Sequence, residues 1–105
     1  MGQVNTLSEE YRLAAREWVD LDNAASLLEE SKSAYLSRAM IDKGDVPVAH
    51  AERDVKASKD WQDYLANMVE ARRKANMAKV KLEWVRMRFQ EQMSQEATAR
   101  AETRL

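Results

Sequence analysis

Few residues in this sequence are of types that do chemistry. The single histidine, His50, opens the run His50-Ala51-Glu52-Arg53-Asp54. On a helix the four-residue step sets Asp54 beside it as a two-ligand clip. A zinc site needs three or four ligands, and the chain has no cysteine to supply the rest. His50 and Asp54 are therefore read as solvated charges, and no metal, cofactor, disulfide or thiolate chemistry is expected. The acids Asp20 and Asp22, and Glu29 and Glu30, are spaced as surface charges. No phosphate loop, nucleophile elbow or catalytic-triad pattern occurs. The expectation is a protein that is not an enzyme and takes no small-molecule substrate.

Cations are the one concentrated feature. Between Arg72 and Arg88 stand Arg72, Arg73, Lys74, Lys79, Lys81, Arg86 and Arg88 against a single acid, Glu83. Such a stretch can line a phosphate-binding face, with Trp84 available to stack on a base. Against nucleic acid stands the whole chain, with net charge −1 and a sequence pI near 5.9, where dedicated binding domains are usually basic. The charge is instead divided along the chain. Residues 1–58 carry seven Lys/Arg against eleven Asp/Glu, and residues 59–105 carry ten against seven. The alternative to phosphate binding is a basic flank answering an acidic one, within the chain or on a second subunit.

The elements that must position these charges are helices. Two glycines and one proline in 105 residues leave too few turn signals for a sandwich or barrel, and 33% charged residues among abundant Ala, Leu, Met, Glu, Lys and Arg is a long-helix composition. The fold class is all-α, a single helical domain over residues 1–105. Thr6-Leu7-Ser8-Glu9 reads as a capping box opening the first helix, expected over 7–42, with residues 1–6 frayed. Its apolar stripe is Leu7, Tyr11, Ala14, Trp18, Leu21, Ala25, Leu28, Tyr35 and Ala39, with Lys32 in the one polar position. Alternating steps of four and three make this a heptad-like seam.

The only Gly and Pro that sit close together are in Lys43-Gly44-Asp45-Val46-Pro47, where a tight reversal is expected at 43–47. Gly44 suits a left-handed position at the helix C-terminus, and Asp45 suits a cap for a short helix over 47–57 with Pro47 in its first turn. Val48, Ala51 and Val55 would share the buried face of that helix. Ser58 reads as a second cap, before a long helix over 59–101. Its first stripe is Tyr64, Met68, Ala71, Ala75, Ala78, Leu82, Val85 and Phe89; a second line, Met77, Val80, Trp84 and Met87, lies on a different side. A helix apolar on two sides must be covered twice, and one hairpin partner covers only one. Past Met93 large apolar residues give out, and the end is expected to project and fray.

Folding the chain at 43–58, with Asp42 opposite Lys59, brings residue i near residue 101 − i. Arg72 to Arg88 then lies beside residues 29 to 13, where Glu17, Asp20, Asp22 and Glu29 outnumber Arg16, and Trp18 falls near Trp84 and Val85. Charged flanks of this kind select partner and orientation, while burial of the stripe decides stability. A straightened linker would make the same contacts in a swapped dimer. The methionines Met68, Met77, Met87 and Met93 fill core gaps or form an adaptable interface.

No apolar run reaches the length of a membrane span, and no secretory leader is seen, so the expected location is cytoplasmic, with no membrane partner. Met1-Gly2-Gln3-Val4-Asn5-Thr6 fits the loose acylation pattern M-G-x-x-x-[ST] and is read as an ordinary start.

Glu70-Ala71-Arg72-Arg73-Lys74-Ala75-Asn76, with Lys81-Leu82-Glu83, Arg86-Met87-Arg88-Phe89 and the run from Gln95 to Glu102, resembles small helical-hairpin proteins encoded in bacteriophage and prophage genomes, some near recombination or replication genes. The likeness covers the last third of the chain and carries no site residues over. It implies a phage accessory protein acting in a host bacterial cytoplasm. The combined expectation is an elongated antiparallel helical hairpin, coiled-coil-like with a short middle helix, that self-associates as a homodimer. Its function would be non-enzymatic docking on a protein partner, a DNA-processing complex, through Met77, Val80, Trp84, Met87, Arg86 and Arg88. The alternative is direct nucleic-acid binding through Arg72, Arg73, Lys74, Lys79 and Lys81.

Overall fold

The computed structural model describes residues 6–104; residues 1–5, with the expected fraying and the acylation-like start, and residue 105 lie outside the described residues. Three helices follow in order: α1 (Leu7–Ile41), α2 (Val48–Lys56) and α3 (Lys59–Thr103). α3 packs back along α1 of the same chain in an antiparallel hairpin measuring 84 × 31 × 16 Å. Helix bounds lie within two residues of those expected.

Local chemistry sets the helix ends. The Thr6 hydroxyl accepts from the Glu9 N–H at 3.2 Å, the first half of the expected capping box. The second half is not made. Glu9 turns its carboxylate to Arg12, whose Nε donates at 3.0 Å, because a charge-assisted two-point bond outcompetes one neutral backbone donor. At the far end of α1 the Lys43 N–H bonds the Met40 carbonyl and the Gly44 N–H bonds that of Ile41, after which Gly44 takes φ +83° and turns the chain.

Asp45 does not cap α2. Pro47 holds that position with ψ 141° and no side-chain bond, since the residue before a proline is driven out of the helical region and helix starts only after it. Ser58 does cap α3, accepting from the Trp61 N–H at 3.2 Å while its hydroxyl donates to the Val55 carbonyl at 2.6 Å. That pair of bonds separates α2 from α3 cleanly.

The seam is closed by small residues. Ala14 and Ala25 of α1 and Ala75, Ala78 and Val85 of α3 are buried, and an alanine at the contact point lets two backbones approach closely. The larger members of both stripes, such as Leu21, Leu28, Met68 and Leu82, are half-buried along its edges. At the turn end the core is aromatic. Trp61, which the stripe beginning at Tyr64 left out, is only 4% exposed, and Tyr35 stacks on Tyr64 at 4.5 Å between centroids with Trp61 6.0 Å from Tyr35. The Tyr64 hydroxyl donates to the Leu28 carbonyl, so the one polar atom of that ring is satisfied on entering the core.

α2 contributes Ala51 and Val55 to the core; Val48, expected beside them, is exposed, because the first turn of α2 has no neighbour to bury it. Val55, Tyr35 and Ala39 line one hollow where α2 packs against the last turns of α1. α3 therefore starts about a turn lower on α1 than a level Asp42–Lys59 anchor would put it. Ser26 meets Arg72, Glu17 meets Lys81 and Glu10 meets Arg88, so residue i faces residue 98 − i rather than 101 − i. With that shift Trp18 lies under Lys79, 6.0 Å from Nζ to ring centroid, and not beside Trp84.

Residues 90–104 of the last helix are exposed throughout, with Gln92, Met93 and Glu96 still bordering a hollow beside Thr6, Leu7 and Ser8. Helix continues to Thr103, carried by strong helix formers and by local bonds such as Gln92 Nε2 to Glu96 at 3.1 Å.

Candidate interaction surface

The residues of the second apolar line are brought together on the outside of the hairpin. At 100° per residue, Met77, Val80, Trp84 and Met87 centre about 180° round α3 from the Ala75–Leu82–Phe89 seam. Met77 and Val80 are each 58% exposed, Trp84 and Met87 each 57%. Val69, also exposed, lies at the edge of the same face two turns earlier and was not singled out in the sequence; the three- and four-residue steps leading to it pass through polar Arg73.

Two arginines were grouped with these four, and the helix sorts them differently. The Arg88 guanidinium lies 4.8 Å from the Trp84 ring centroid and donates to Glu10 at 3.1 Å. It ties the rim of the outer face to α1 and covers one face of the indole with a cation. Arg86 is on the opposite edge of the seam, with Ser8, Tyr11, Phe89 and Gln90 around a shallow apolar hollow at the open end. It does not join the other five.

The cations do not assemble into one face. Arg72, Lys79 and Arg86 follow one edge of the seam at seven-residue spacing; Lys74, Lys81 and Arg88 follow the other; Arg73 stands on the outer face. Most are already engaged. Arg72 reaches across to Asp22 at 2.7 Å and to both oxygens of Glu29 at 2.7 and 2.9 Å, with Ser26 at 3.3 Å. This hydrogen-bonded guanidinium holds the Glu29 carboxyl below the usual carboxylate range and pushes the Arg72 pKa further up. Lys81 meets Glu17 at 3.2 Å. Arg73 pairs within α3 with Glu70 at 2.6 Å and holds that carboxyl down as well. Among the described residues Lys74, Lys79 and Arg86 make no ion pair, though Lys79 lies over the Trp18 ring.

His50 and Asp54 are both exposed on α2, and among the described residues no three His, Cys, Asp or Glu side chains converge as metal ligands. Nor is any helix among them long and apolar enough to cross a membrane. The remaining hollows are shallow, the one at the turn end being lined by Tyr35, Arg38, Ala39, Asp42, Val55 and Ser58. Compared with known proteins, the chain matches no protein-family profile, no curated protein and no solved structure.

Proposed function

We propose that this protein is a non-enzymatic helical interaction factor that pairs with a second copy of itself through the outer face of α3. The observation that carries this reading is the line Met77, Val80, Trp84 and Met87, more than half exposed and diametrically opposite a seam that is already closed. An apolar line of that extent on a water-facing helix is costly unless something covers it. Long, flexible Met side chains beside an aromatic anchor are of the kinds that protein interfaces enrich. The phage-like last third supplies the setting we infer: an accessory protein in a bacterial cytoplasm, docked as a pair on a DNA-processing complex.

Direct nucleic-acid binding is the competing reading. The ion pairs of Arg72, Lys81 and Arg88 with α1 weigh against it, because each would have to be given up to reach a phosphate. Light scattering over a salt series, with and without a short DNA duplex and single strand, separates the two. Self-pairing predicts twice the 12.1 kDa chain mass, little changed by salt and unaffected by DNA, and a Trp84→Glu chain that stays helical but monomeric. A monomer at all concentrations would sink the proposal, and a DNA complex that weakens steeply with salt would replace it.

A further inference from the structure

The outer face of α3 carries its own instructions for how two copies meet. Its residues follow a heptad pattern: Glu70, Met77, Trp84, Glu91 and Thr98 recur every seven residues, and Ala66, Arg73, Val80, Met87 and Ser94 occupy the intervening positions three residues on. In an antiparallel pair of helices the members of one set pack against the members of the other. We infer that two copies pair antiparallel, α3 against α3, about a two-fold axis level with position 82. This rests on the self-pairing proposed above and adds its direction and register.

Symmetry about position 82 matches every member of the line. Met77 falls opposite the partner's Met87, and Val80 opposite the partner's Trp84. At the two ends Arg73 falls opposite the partner's Glu91, and Glu70 opposite the partner's Ser94. A two-fold interface is self-complementary, so each of these contacts is made twice. Glu91 is exposed and makes no ion pair among the described residues, while Arg73 holds only an exposed bond to Glu70 on its own helix. Both are therefore available.

Other arrangements fail on the same residues. Parallel pairing sets Arg73 on Arg73, Glu70 on Glu70 and Glu91 on Glu91, three like-charge meetings in an otherwise apolar line. Sliding the antiparallel pair by one heptad either way leaves two of Met77, Val80, Trp84 and Met87 without an apolar partner and separates Arg73 from Glu91. Position 82 also lies at the middle of α3, so the two helices overlap along their whole length. The exposed end of each α3 then lies along the first turns of the partner's α3. The result is a flat row of four helices with both α3 helices at the centre.

Two measurements on the full chain test this. Sedimentation equilibrium should find Arg73→Glu weakening the dimer about tenfold or more through two like-charge meetings, with Arg73→Glu/Glu91→Arg restoring it to within about threefold. Circular dichroism on each variant confirms that the exposed substitutions leave the hairpin folded. The chain has no cysteine, so Asn67→Cys gives a single spin-label site on an exposed position. At 1.5 Å per residue the two labels should stand about 45 Å apart along the axis. A dimer that ignores Arg73→Glu, is not rescued by the double change, or puts the two labels side by side overturns the antiparallel register while self-pairing stands. Absence of any wild-type dimer overturns self-pairing itself.

Discussion

The inner and outer faces of α3 are built from similar apolar content and meet opposite fates. Inside, Ala75 is wholly buried and Ala78 and Val85 nearly so, with Ala14 and Ala25 answering them from α1. Outside, Met77, Val80, Trp84 and Met87 are larger and remain more than half in water. Position round the helix rather than residue type separates them, as Val85 inside and Val80 outside make plain. Alanines at the contact points let two helix axes close up within a chain, while large flexible residues cover area that one hairpin partner cannot reach. The electrostatics differ in the same sense. Arg72, Lys81 and Arg88, flanking the inner face, reach acids on α1, whereas Glu91 at the end of the outer line pairs with no cation among the described residues.

The strongest way to break that comparison is to empty one tryptophan site on each face. Trp61→Ala should cost about 3–5 kcal/mol in urea denaturation, since Trp61 is buried against Tyr35 and Tyr64. Trp84→Ala, measured at concentrations low enough to hold the chain monomeric, should shift folding by no more than about 0.5 kcal/mol. Equal costs at the two sites would mean that the outer face is folded over by this same chain.

Next in size is a test of close approach. Ala75→Leu should destabilise the hairpin by about 1–3 kcal/mol through overpacking, because no space exists at that contact. Asn76→Leu, one position on and exposed, should cost much less.

Acid probes the charged edges. The Glu29 carboxyl sits below its usual 4.5 because Arg72 hydrogen-bonds it, so its contribution is fully present above that value and is lost as pH falls through the lowered folded value. Thermal midpoints followed by circular dichroism should be level near neutrality and fall on acidification below about 4.5. Arg72→Gln should remove the part of that fall that comes from the pairing between helices. Glu9 and Glu70 are held down in the same way by Arg12 and Arg73, but within single helices.

The smallest effect sharpens the comparison. Glu10 and Glu17 meet Arg88 and Lys81 along one edge of the seam; one heptad further the positions are Ala24 and Lys74, and Lys74 makes no ion pair among the described residues. Ala24→Glu should complete the row and stabilise the hairpin by up to about 0.5 kcal/mol, an increment that high salt erases.

Much of this molecule follows from sequence alone, because the features concerned are local or periodic. Scarce Gly and Pro, the Thr6 and Ser58 hydroxyls and the reversal at Gly44 mark three helices within two residues of their observed ends. Three- and four-residue steps identify both apolar lines of α3, since side-chain direction on a helix depends only on position along it. Tertiary structure decided what depends on how the pieces meet. Where α3 begins against α1 is set by α2 packing against the last turns of α1, and no spacing within one helix reports it; this is why Trp18 faces Lys79 and not Trp84. The burial of Trp61 and the reach of Arg72, Lys81 and Arg88 to acids on α1 are likewise outcomes of how the two helices meet. Each depends on distances across the seam, and those exist only once the helices have packed.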